Sequence, residues 1–155
     1  MAEKIDPITT VINADSQTLV TWSENYSVGI EHIDNQHKEL VSLTNELYRA
    51  CLAKNDTFEA VFKETMSRMV EYVRYHFKAE MELLEKSNFP DLQNHKMQHD
   101  QLIFDILEAV REYNEGKKFV PNNFVRTLKD WIFSHIAFYD QAYAPYVRDY
   151  LQSRE

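Results

Sequence analysis

Two glycines, Gly29 and Gly116, in 155 residues fall far below the usual share of about 7%. Turn-rich all-β folds need many more, and neither a Walker loop nor a dinucleotide-binding fingerprint is present. The single Cys51 excludes an internal disulfide and fits a reducing compartment. No apolar run approaches the ~18 residues of a spanning helix, and residues 1–20 lack a basic start followed by an apolar block. No basic run exceeds Lys117-Lys118, and 17 basic against 25 acidic residues leave a net charge of −8. That balance argues against nucleic acid and anionic membranes as partners. A mostly helical, cytoplasmic protein of one domain is what these absences leave.

The apolar pattern agrees. After a polar start, Leu19-Val20-Thr21-Trp22 and Tyr26-Ser27-Val28-Gly29-Ile30 read as an extended segment. Asp34 is placed to cap a first helix, with Leu40, Val41, Leu47, Tyr48 and Cys51 on one face and Leu43 at its margin. Asp56 with Glu59 forms a candidate capping box for a second helix, whose inward stripe runs Phe62, Met66, Met69, Val70, Val73, Phe77, Leu83 and Leu84. A third helix follows Pro90, carries Leu102, Ile103, Ile106, Leu107, Val110 and Tyr113, and ends at Gly116. Pro121, with Asn122 or Asn123 as cap, opens a fourth, carrying Phe124, Leu128, Trp131, Ile132 and Ile136. Pro145 is expected to bend or end it. The fold expected is all-α: an antiparallel up-down-up-down four-helix bundle with an extended N-terminal segment and a short C-terminal tail. Residues 1–20 are an N-terminal extension and 21–155 the bundle domain.

Stripes of this kind usually mean core and nothing else. Five of the six histidines, however, fall on them, with two carboxylates. His37 precedes Leu40 by three residues on the first helix. His76 and Glu80, four apart, continue the second stripe. His95 and His99, four apart, lead into the third, and His135 follows Trp131 by four on the last. Residues four apart share a helix face, so each pair can grip one centre. Asp140 is misplaced by the same logic. Five ideal steps put it about 140° round from His135, so a local π-type distortion is expected there.

A lone inward histidine is more often a hydrogen-bonded core residue than a ligand. Seven such groups on four stripes are not explained that way, because burying unpaired carboxylates costs several kcal/mol, about 2–7 even for a neutral polar group. A metal removes the penalty. Seven ligands exceed a tetrahedral zinc site and suit two metals of higher coordination bridged by the carboxylates. Nitrogen and oxygen ligation without thiolate is compatible with iron or manganese. His32, five residues from His37, lies off the face and reads as a solvated side chain. Cys51 reads as a small core hydrophobe, and Tyr139 and Tyr143 as candidate hydrogen-bond partners of the cluster.

The series His37, His76-x3-Glu80, His95-x3-His99, His135-x4-Asp140 resembles the hemerythrins, most of all their bacterial branch. Trp22-x3-Tyr26-x2-Gly29-x4-Asp34-x-Gln36-His37 is similar to that family's N-terminal signature. The resemblance covers about residues 20 to 150, while residues 1 to about 20 precede the point where short members begin. It implies two non-haem iron ions, one on His95, His99 and His135, the other on His37 and His76. Glu80, Asp140 and an oxo or hydroxo group would bridge them. It further implies O2 as the ligand, bound at an open position on the iron with two histidines, and Phe77, Trp131, Ile132 and Ile136 as the pocket lining.

The function so implied is reversible O2 binding for storage, delivery or sensing, without turnover, and with a separate redox or oxygen-consuming protein as an unidentified partner. Two alternatives use the same ligands: a di-iron oxidase, peroxidase or nitric-oxide-reducing enzyme, and an O2 or redox signalling module. A helical bundle without iron is the remaining reading.

Overall fold

The computed structural model describes residues 18–53, 58–116 and 121–154. A 3₁₀ turn, Glu24–Tyr26, precedes α1 (Glu31–Leu52), α2 (Phe58–Lys86), α3 (Leu92–Asn114) and α4 (Pro121–Ser134). α4 runs through a π-helical segment, His135–Asp140, into α5 (Gln141–Gln152). The four long rods form the expected bundle, in which α1 packs on α2 and α4, α3 on α2, and α5 on α2. No strand occurs among the described residues.

Several local expectations change. α1 starts at Glu31 with Ile30 as its N-cap, so Asp34 is inside the helix. Its carboxylate instead reaches back to the entering chain, accepting from the Val28 N–H at 2.8 Å and the Ser27 hydroxyl at 2.5 Å. Gly29 supplies the backbone this return needs, at φ +74, with Arg148 packed where a side chain would point. Asp56 lies outside the described residues. α4 is described from Pro121 onward, and Asn122 and Asn123 lie within the helix rather than capping it. Gly116 ends α3 as expected, at φ +74, its N–H donating to the Tyr113 carbonyl.

Pro145 does not end the last helix but lies inside α5. A proline there removes one helical hydrogen bond and costs about 3 kcal/mol. Burial of Tyr143, Ala144 and Val147 on the same stretch offsets that loss, so packing overrides local preference. Leu107 is 42% exposed and lines an open seam between α2 and α3 with Phe62, Met66 and Val70. Cys51 is only half-buried. The entering chain is pinned by a residue of α1: Asn45 Oδ1 accepts from the N–H groups of Leu19 and Val20, and its amide donates to the Val20 carbonyl, each at 2.9 Å.

The core is divided. One apolar cluster, including Leu40, Met69, Val73, Leu102, Ile106 and Ile132, fills most of the bundle. A second, of Val28, Ile30, Ile33, Leu84, Phe89, Tyr143, Ala144 and Val147, fills the other end. On every rod the sequence passes from one cluster to the other across a polar residue or two: Gln36 and His37, His76 and Glu80, His95 and His99, His135 and Asp140. Those residues form one buried layer.

Candidate metal centre

All seven predicted residues meet in that layer, none more than 4% exposed. Glu80 stands at the middle. Its Oε1 faces His95 Nε2 at 2.9 Å and His99 Nε2 at 3.0 Å, and its Oε2 faces His76 Nε2 at 3.3 Å and His37 Nε2 at 3.7 Å. Asp140 divides itself the same way, with Oδ1 toward His135 at 3.1 Å and His95 at 3.3 Å, and Oδ2 toward His37 at 3.2 Å. Asp140 reaches this position because His135–Asp140 is π-helical. A π turn brings residues five apart into register, which removes the mismatch ideal α geometry would leave. Two overlapping groups of converging donors result: Glu80 with His95, His99 and His135, and Glu80 with His37 and His76.

The charges explain why such a layer asks for cations. Burial by itself pushes the imidazoles of His37 and His95 down, but the facing Asp140 and Glu80 carboxylates outweigh it and bring both up to about 9. His99 moves the other way, because burial outweighs its single carboxylate neighbour. Burial would likewise raise Glu80 and Asp140. Instead His76, His37 and His95 hold Glu80, and His135 and His37 hold Asp140, below the usual carboxylate range. Even so, both ring nitrogens of His37, His99 and His135 and both oxygens of Asp140 are buried without a hydrogen bond. Orphaned polar atoms cost about 1–3 kcal/mol each, and the converging Nε2 atoms and carboxylate oxygens fit metal ions that would take them up, one nitrogen from each ring.

Neighbouring side chains fix the rings. Phe77 stacks on His99 at 3.6 Å between centroids and 4° between planes, and Trp131 on His135 at 4.9 Å and 8°. The Tyr143 hydroxyl donates to Glu80 Oε2 at 2.8 Å. Tyr139 makes no such bond but lies against the His135 ring at 5.4 Å. Phe77, Trp131, Ile132 and Ile136 line a small cavity beside His76, His135 and Asp140, joined by Leu40, Val73 and Leu102, which the sequence reading left in the general core. Its free space is about 10 Å³, about one water-sized molecule.

Gln36 also belongs to the layer, through a contact the motif does not reveal. It is 5% exposed, and its side-chain carbonyl lies 2.6 Å from His76 Nδ1. The signal was available, since Gln36 is three residues after Ile33 and four before Leu40, on the inward stripe. His32 is exposed as expected, yet it is bonded to Gln36, Nε2 to Nε2, at 3.1 Å.

Fold and layer define the class of molecule, a four-helix bundle with a buried layer of side chains able to hold cations between two apolar cores. The chain belongs to the hemerythrin family: the model of the hemerythrin HHE cation binding domain matches residues 28–147. It is 30% identical to a bacteriohemerythrin of Stenotrophomonas maltophilia over 133 residues, covering 86% of this chain and 84% of that one. A bacteriohemerythrin of Methylococcus capsulatus is 26% identical, covering 82% and 95%, and a hemerythrin-like protein of Naegleria gruberi is 32% identical, covering 79% and 88%. Among solved structures, a wild-type hemerythrin superposes with a TM-score of 0.77 at 25% identity, over 83% of this chain and 98% of that one. No described helix is long and apolar enough to cross a membrane.

Proposed function

We propose that the chain holds two iron ions and binds O2 reversibly, without turnover. The observation that carries this reading is the division of the carboxylates: one oxygen of Glu80 and one of Asp140 face His95, His99 and His135, and the other two face His37 and His76. That division suits two adjacent ions of unequal coordination. His95, His99 and His135 would hold one, His37 and His76 the other, and Glu80 and Asp140 would bridge. With only His37 and His76 as imidazole ligands, the second ion would keep room for an exogenous ligand. Iron so bound would supply the electrons that O2 takes up on binding and returns on release.

The chain's own groups do the rest. Ile132, Ile136, Leu40 and Leu102 wall the cavity with hydrocarbon and keep water from the layer, which limits loss of reduced oxygen species. Space for about one water-sized molecule favours a diatomic ligand over an organic substrate. Tyr143 holds Glu80 in place through its hydroxyl, and Phe77 and Trp131 hold the ring planes of His99 and His135. Storage, delivery and sensing all remain compatible with this chemistry, and each would involve a separate oxygen-consuming or redox protein in the cytoplasm.

An anaerobic Fe(II) titration of the metal-free chain tests the reading. Two equivalents should bind, and His76→Ala should remove one of them while His135→Ala weakens the other. Two full equivalents retained in both variants would refute the assignment.

A further inference from the structure

Gln36 occupies a fully enclosed position that the metal and ligand assignments leave unused. The residue is 5% exposed, and its amide contacts two imidazoles. The oxygen faces His76 Nδ1 at 2.6 Å, and the nitrogen faces His32 Nε2 at 3.1 Å. A carbonyl oxygen only accepts, so His76 Nδ1 must carry the proton. The amide nitrogen only donates, so His32 Nε2 must be bare. The two bonds therefore select each other.

We propose that Gln36 is a positioning residue which fixes His76 as its Nδ1–H tautomer, and that surface His32 in turn fixes the Gln36 amide. The inference rests on the reading of the layer as a cation site. His76 is the single residue of α2 whose ring faces the two-histidine side of the layer, and only a bare Nε2 can take a cation there. Partners of the second ring nitrogen settle that choice at histidine sites generally, and their loss typically costs 10–100-fold in metal affinity. An amide serves a distinct purpose from a carboxylate at this position. It accepts from the Nδ1–H more weakly than a carboxylate would, which leaves His76 the weaker donor. A metal held by it is then more easily kept reduced, as reversible O2 binding requires. His32 matters because an amide has two orientations. With His32 accepting, the oxygen is turned inward. With the amide reversed, its nitrogen would face His76 and favour a proton on the wrong nitrogen.

Three variants of the full chain test this: Gln36→Leu, Gln36→Glu and His32→Ala, with melting curves to confirm folding. Zn(II) serves as a diamagnetic probe, and ¹⁵N spectra of the histidine side chains report which nitrogen is protonated. In the Zn(II)-loaded wild type, His76 should show a protonated, slowly exchanging Nδ1. Gln36→Leu should lose that slow exchange and bind one of its two cations about 10–100-fold more weakly. Gln36→Glu, whose carboxylate also accepts from Nδ1, should restore the Nδ1–H tautomer and the affinity relative to Gln36→Leu, while its stronger acceptor makes His76 a stronger donor than in the wild type. His32→Ala should keep the stoichiometry but raise the Nδ1–H exchange rate severalfold. A Gln36→Leu chain with unchanged exchange and affinity would overturn the proposal, as would a His76 protonated on Nε2 in the wild type. A wild type that takes up no cation overturns the reading of the layer instead; the tautomer is then read in the metal-free chain in alkaline buffer, where the same Nδ1–H result still decides the role of Gln36.

Discussion

Removing a single oxygen atom at Tyr143 measures how strongly the layer depends on its central carboxylate. The Tyr143 hydroxyl donates to Glu80 Oε2 at 2.8 Å from a fully buried position. In Tyr143→Phe the ring still fills its space, so the change is in hydrogen bonding rather than packing. Oε2 is left with His76 at 3.3 Å and His37 at 3.7 Å, both longer than the 2.8 Å bond removed. A hydrogen bond to a charged group contributes about 1.5–3 kcal/mol. At about 2–4 °C per kcal/mol for a chain of this size, the metal-free melting temperature should fall by about 3–12 °C. Burial and the Glu80 charge push the Tyr143 phenol well above its ordinary range, so it stays a donor and the deficit should not vary between neutral and mildly alkaline pH. Urea unfolding of the wild type, Tyr143→Phe, Glu80→Gln and the double variant isolates the pairwise contribution. With iron bound the deficit should shrink, because the cation takes up the carboxylate's charge. Strictly additive effects of the two substitutions, or a Tyr143→Phe midpoint equal to the wild type, would refute the reasoning.

Ile132→Ala should cost about 2–5 kcal/mol as a large-to-small core change and, by admitting water beside His135, speed oxidation of the oxygenated iron protein; an unchanged oxidation rate would reduce Ile132 to a packing residue. Removal of iron should lower the melting temperature, since ligands and helices are the same residues; identical melting of the metal-free and loaded chains would contradict this. In the metal-free chain His37 and His95 titrate near 9 rather than 6.5. They therefore hold protons in the fold that the unfolded chain has already released. Their contribution to stability is complete below about 6.5 and disappears as pH rises through 9, so unfolding should become easier across that window. Cation binding at neutral pH must expel those protons, so calorimetry in buffers of different ionisation enthalpy should record proton release, and its absence would count against the charge assignment.

The rods and the seven converging residues were legible because helical periodicity fixes where a side chain lies around its axis. His76 with Glu80 and His95 with His99 declare themselves at that level, and the 140° misfit of Asp140 was enough to expect the π turn found at His135–Asp140. Periodicity does not say what stands opposite. Leu107 shares a stripe with Ile103 and Val110, yet it lines an open seam because the facing stretch of α2 does not cover it. Asp34 looked like a cap by residue type, but its carboxylate serves the chain before the helix, a contact set by the turn at Gly29. Gln36 and Asn45 are polar residues on apolar stripes, each bonded to chain distant in sequence, His76 for the one and Leu19 with Val20 for the other. The motif places Gln36 next to His37 but cannot show that it serves His76. Pro145 shows the reverse limit, a strong local breaker held in a helix by the packing of Tyr143 and Val147.

The most direct test of the central claim is the optical spectrum of anaerobically reduced, iron-loaded protein before and after O2 is admitted, with iron counted on the same sample. Two irons per chain and a charge-transfer band that appears with O2 and fades when O2 is withdrawn are the predicted result. Two irons that oxidise irreversibly, with no band that can be reversed, would contradict reversible binding and make the layer a redox centre.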